Sequence, residues 1–146
     1  MYLLVYKFGG SSVADAAGLR CAAGQLAEAA AAGFHIIAVV SAQGKTTDRL
    51  LQSTAELTAH PACREADQLL ATGEQASAAL MAMTLQEMGL PTVSLTGWQA
   101  GIHTDGNHAA QMRHPQASKA AASATAVVSL PPRPSVVMSP CSVNRR

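Results

Sequence analysis

The chain has 146 residues, enough for one modest domain with a core of its own. Hydrophobic residues make up 49% and aromatic ones only 3%, so it reads as globular, with Ala-rich helices packed closely on small side chains. A net charge of +1 gives no electrostatic reason to expect a nucleic-acid or membrane partner.

Residues 2–8, rich in Tyr, Leu and Val, predict a buried strand. It runs into Lys7-Phe8-Gly9-Gly10-Ser11-Ser12. A lysine leaving a strand into a Gly-Gly turn, then hydroxyls, then a helix start, suits an anion such as phosphate. Glycines let the backbone approach a ligand, helix starts present free N–H groups, and lysine adds a mobile charge. Gly9 and Gly10 are the candidate backbone cradle, while Ser11 and Ser12 are candidate phosphate contacts or helix caps.

A helix is expected from about Ala14 to Ala32, with Leu19, Ala23, Leu26 and Ala30 on one stripe and Asp15 as an early helix charge. Gly33 should stop it. Residues 35–41 are apolar on both faces, as in the middle of a parallel sheet. Ser41 therefore falls at the carboxyl edge of the sheet, where open α/β sheets bind ligands. A second helix is predicted from about Thr47 to Ala59, its inner face formed by Leu50, Leu51, Thr54 and Leu57, with Thr47 as an ordinary N-cap candidate. Gly44-Lys45-Thr46 invites a P-loop reading, but that motif needs a glycine about five residues earlier, and position 39 is Val39.

A third helical region covers about Arg64 to Met88, with Leu69, Gly73, Ala76, Leu80 and Met83 on one face and Gly73 as the point where it would break. Gly89 and Pro91 end it, and Thr92–Thr96 reads as a third strand. The order β-α-β-α-α-β implies parallel strands with helices on the faces. A loop from Gly97 to Asn107 follows, with Trp98 as its packing anchor.

Beyond residue 107 the pattern weakens. Residues 1–107 hold five Lys/Arg and nine Asp/Glu, a net of −4, whereas 108–146 hold five Lys/Arg and no acid, a net of +5. The second stretch is rich in Ala, Ser and Pro and reads as an atypical, poorly ordered tail or an out-of-frame product. The runs at 127–130 and 136–138 are its only apolar segments. Cys21, Cys63 and Cys141 are odd in number and widely spaced, so thiols are expected. His35, His60, His103, His108 and His114 show no metal-ligand spacing, and no protein-held metal is expected. No long apolar span or signal peptide is visible, which predicts a cytoplasmic protein.

Four segments together resemble the N-terminal part of the aspartate kinases, within the amino-acid kinase family. KFGGSSVAD at 7–15 is like the family's KFGGTSV, and VVSAQGKTTDRLL at 39–51 is like VVSAMGGVTDxLL. TGEQASAAL at 72–80 is like the GEQLS segment, and SLTGWQAGIHTD at 94–105 is like SxTGWQAGIxTD. They come in the family's order, cover residues 2–107, and then stop. Two departures stand in the second segment: Lys45 replaces the second glycine, and Gln43 replaces the common Met.

The resemblance implies a three-layer α/β/α sandwich with a mainly parallel sheet, incomplete in this chain, with residues 1–107 as the N-terminal part of the kinase domain. It implies ATP-dependent phosphorylation of the side-chain carboxylate of L-aspartate to 4-phospho-L-aspartate, the first step toward lysine, threonine and methionine. Lys7 would contact the nucleotide phosphates and steady charge during transfer, and Ser41 and Thr47 would help hold aspartate or the phosphate being moved. Glu74 would engage the amino group of aspartate. The cofactors implied are ATP and Mg²⁺, the latter carried by phosphate oxygens. Full-length relatives are implied to be homo-oligomers. The later G-R-G-G-S-D-T type segment, the adenine-binding portion and the regulatory domains have no counterpart here, so this chain is expected to be truncated and weakly active or inactive. Two alternatives stay open: another amino-acid kinase, or a non-catalytic interaction module.

Overall fold

A computed structural model describes residues 2–102 and 125–129. Four strands and three helices follow in the order β1 (Leu3–Phe8), α1 (Ala16–Ala31), β2 (His35–Val40), α2 (Thr46–Leu57), α3 (Cys63–Glu87), β3 (Thr92–Leu95) and β4 (Thr125–Ser129). The expected positions at His103, Asp105, His108, His114 and Cys141 and the run at 136–138 lie outside the described residues.

β1 and β2 pair in parallel, Leu3 opposite His35 through Phe8 opposite Val40. The third neighbour is β4, which runs antiparallel to both β2 and β3 and gives the sheet order β1-β2-β4-β3. β1, β2 and β3 therefore share one direction, as the β-α-β alternation predicts, and the sheet is mixed because β4 enters against them. Within the stretch expected as a poorly ordered tail, Thr125–Ser129 thus forms an inner strand. Its Val127-Val128 pair is apolar on both faces, which suits that place, and Val127 is fully buried.

Helix ends follow turn chemistry. Gly33 (φ 89°) and Gly89 (φ 83°) stop α1 and α3, and in each case the next residue, Phe34 or Leu90, donates back to a carbonyl five residues earlier. The stop predicted at Gly33 is where it was expected.

One face of the sheet is covered. Ile36, Ala38 and Val40 of β2 face α1 and α3, and Leu19, Ala22, Ala23 and Leu26 of α1 meet them from above. Ala78, Met81, Ala82 and Leu85 of α3 complete this core with Phe8, Val13 and Val127. Fully burying a side chain such as Leu26 or Met81 contributes about 1.5–3 kcal/mol. Small residues at 22, 23, 38, 78 and 82 let the helices and sheet approach closely. The α1 stripe is borne out by Leu19, Ala23 and Leu26.

The other two helices correct the reading. α3 runs unbroken through Gly73, and its buried stripe is Gly73, Glu74, Ser77, Ala78, Met81, Ala82 and Leu85. Leu80 and Met83, expected inside, are exposed at 39% and 56%. A periodicity read from large apolar residues picks the wrong face when the helix packs through Ala, Ser and Gly. α2 packs on α3 with Leu50 and Thr54 of its expected inner face half-buried, Leu50 facing Gly73, while Leu51 and Leu57 point outward and no residue of α2 is fully buried. No described helix is long and apolar enough to cross a membrane.

Candidate phosphate-gripping edge

The site residues gather where β1 and β2 end. The chain leaves β1 at Phe8 and turns at once, the Ser12 amide donating to the Gly9 carbonyl at 3.0 Å. Past β2, the Ser41 amide donates to the Phe8 carbonyl (3.1 Å) and the Gly44 amide to the Gly10 carbonyl (3.0 Å). The two loops therefore continue the parallel ladder beyond the strands. Gly10 makes this possible, because a Cβ there would lie 2.4 Å from the Ala42 carbonyl oxygen.

Asp15 caps α1, its Oδ1 accepting from the Gly18 amide at 2.8 Å. Asp15 is thus the charge at the start of α1, as expected, and acts there as the N-cap, while Ser11 and Ser12 are exposed and do not cap. A carboxylate already sits on the positive end of α1, so that helix start is not left open to a second anion. The cradle is the turn before it. Among the described residues, the amides of Gly9, Gly10 and Ser11 donate to no protein acceptor. Consecutive free amides in a turn form an anion-binding concavity.

Lys7 is exposed and, among the described residues, is in no ion pair. A Cβ built on Gly9 would meet only one atom within 4 Å, the Lys7 Nζ at 3.9 Å. The lysine therefore hangs over the glycine turn with open space before it. A triphosphate end fits this donor set: three amides, one ammonium and room for oxygens.

α2 starts from Lys45, which makes no side-chain cap, so Thr47 is the second helical residue and not the N-cap. Thr47 and Ser41 are both half-buried. α3 arrives from the other side at Gly73, where a Cβ would lie 3.0 Å from Ala42 Cβ and 3.3 Å from Thr46 Cγ2. Next to it, Glu74 is only 8% exposed. Lys7 shares a sheet face with the exposed Leu3 and Val5, whereas α3 lies on the covered face. Glu74 follows Gly73, which packs on Ala42 and Thr46 of the second edge loop, so both it and Lys7 lie toward the ends of β1 and β2.

Trp98 is not a packing anchor among the described residues; it is 75% exposed. Its loop closes on itself, the Gln99 Oε1 accepting from the Thr96 amide (2.9 Å) and hydroxyl (3.0 Å). A shallow polar pocket of about 90 Å³ lies beside it, lined by Gln75, Ser94, Leu95, Thr96 and Gln99. Sequence reading missed Gln43, whose Nε2 donates to the Val13 carbonyl at 2.8 Å. The only signal was that a donor stands where the resembled stretch carries Met.

The family model described as the amino acid kinase family matches residues 3–128, reaching into β4. Over 108 residues the chain is 48% identical to an aspartokinase of Geobacillus stearothermophilus and 45% identical to aspartokinase 2 of Bacillus subtilis. Each match covers 74% of this chain and 26% of the relative, so the chain spans about a quarter of the length of these proteins. A crystal structure of an aspartate kinase from Synechocystis superposes with a TM-score of 0.65 at 42% identity, covering 66% of this chain and 17% of that one.

Proposed function

The chain belongs to the amino acid kinase family, and from that premise we propose that it serves the phosphorylation of L-aspartate by ATP. The side-chain carboxylate attacks the γ-phosphorus, the bond to the β-phosphate oxygen breaks, and 4-phospho-L-aspartate and ADP leave. The product feeds the synthesis of lysine, threonine and methionine, in the cytoplasm. What carries this reading is the exposed Lys7 ammonium beside Gly9, with the amides of Gly9, Gly10 and Ser11 donating to no protein acceptor among the described residues. The choice of aspartate is supported by the relatives' names.

Phosphoryl transfer asks the protein for positioning and charge rather than covalent chemistry. The Gly9–Ser11 amides, with the Ser11 and Ser12 hydroxyls, hold phosphate oxygens. Lys7 offsets the repulsion between the two anions as they approach. Ser41 and Thr47 orient the substrate or the group in transit, and Glu74 receives the substrate's ammonium. ATP supplies the phosphoryl group and brings Mg²⁺ on its phosphate oxygens. The stretch present carries the phosphate grip and part of the amino-acid site, so binding is the sharper measurement than turnover.

Titration of ATP·Mg²⁺ into the ¹⁵N-labelled chain should shift the amides of Gly9, Gly10 and Ser11 first. Lys7→Ala should weaken binding about tenfold or more while leaving stability within about 0.5 kcal/mol, as for an exposed side chain. Shifts confined to other amides, or equal affinity in both proteins, would sink the reading.

A further inference from the structure

We propose that Gln43 is a positioning residue, a side-chain clamp that holds the two edge loops together and keeps the Gly9–Ser11 amides aimed at a phosphate; the phosphate part rests on the function proposed above. Beyond the strands, the two loops are joined by the backbone bonds from Ser41 to Phe8 and from Gly44 to Gly10, and by the Gln43 carboxamide on the Val13 carbonyl. The last reaches furthest along the first loop, across 30 positions of sequence, and it is partly buried. Its anchor is firm, because the Val13 side chain is fully buried in the core. The turn of Gly9–Ser12 is therefore fixed at both ends, by the β1 ladder before it and by Gln43 after it.

Next to this bond, the Gly44 amide donates to the Gly10 carbonyl (3.0 Å) and a Cβ on Gly44 would meet Ala14 at 3.6 Å, so the Gln43 carboxamide adds a side-chain tie to one that the backbone and the Ala14 contact already make. Methionine, which the resembled stretch carries at this place, has no N–H to offer. Removing the donor leaves the Val13 carbonyl without its side-chain partner and leaves the second loop held to the first only by the Gly44–Gly10 bond and the Ala14 contact, which loosens it. Gln43→Met keeps length and apolar bulk, so it removes the hydrogen bond with little change of packing.

The test uses the full 146-residue chain as wild type, Gln43→Met, Gln43→Glu and Lys7→Ala. Amide hydrogen exchange by NMR is measured without ligand, and inorganic tripolyphosphate is then titrated. In Gln43→Met the Gly44 amide should exchange roughly 3- to 10-fold faster, the range of one lost neutral hydrogen bond, with the Ala38 and Met81 amides unchanged. Tripolyphosphate affinity should fall by a similar factor. It should fall further in Gln43→Glu, whose carboxylate faces the Val13 carbonyl and adds negative charge at the edge. Unchanged exchange at Gly44, or equal acceleration of the core amides, overturns the clamp. Unchanged affinity in Gln43→Met beside a loss in Lys7→Ala also overturns it and leaves the kinase reading standing. If neither Lys7→Ala nor Gln43→Met alters tripolyphosphate binding, the kinase reading fails and the clamp's phosphate role with it; Gly44 exchange still decides whether the loops are clamped.

Discussion

The two faces of the sheet are almost equally apolar, yet only one is covered by a described element. On one face, Ile36, Ala38, Val40 and Val127 disappear under α1 and α3. On the other, Val5 pairs with Ile37, Ile37 with Val128, and Val128 with Val93, a continuous row of branched side chains across all four strands. Val5 is 65% exposed and Val93 37%. The difference lies in what each face meets, since the strand residues alone do not distinguish them. Burial, not residue type, turns an apolar row into stabilisation, and a row left open is an adhesive surface.

The comparison breaks first on the covered side. Met81→Ala and Leu26→Ala should each cost about 2–5 kcal/mol in chemical denaturation, because a cavity is added to the lost burial. At the edge between the faces, Gly10→Ala should cost about 1–3 kcal/mol, since the new methyl runs into the Ala42 carbonyl and the loops must part. Asp15→Ala removes the cap of the covering helix α1 and should cost about 1 kcal/mol. The smallest effect belongs to the open face: Val5→Thr with Val93→Thr should stay within about 0.5 kcal/mol while reducing self-association seen by light scattering. A loss there as large as in Met81→Ala would show that this face is buried after all.

Much of the candidate edge was legible because its chemistry is local. Lys7 at a strand end, the Gly9-Gly10 turn and Ser41 after an apolar strand depend on neighbours in sequence, and each is found at the sheet's carboxyl edge. Glu74 was reachable only by resemblance, since nothing around it signals that a helix glutamate will be buried. Asp15 supplies the expected charge at the start of α1, and the structure adds that it does so as the N-cap, its carboxylate accepting from the Gly18 amide. The inner face of α3 was misread for another reason: Leu80 and Met83 are the larger side chains, but small ones permit the closest contact, whereas on α2 Leu50 and Thr54 turn toward α3 as expected and only Leu51 and Leu57 point outward.

The alternation of strands and helices, the glycine stops and the lysine–glycine turn can be read from the residues, because periodicity and turn preference act over a few positions. That β4 enters between β2 and β3, that one sheet face is roofed and that Gln43 reaches Val13 emerge only on folding. Those outcomes join residues far apart in the chain, and they follow from which surfaces fit closely enough to exclude water.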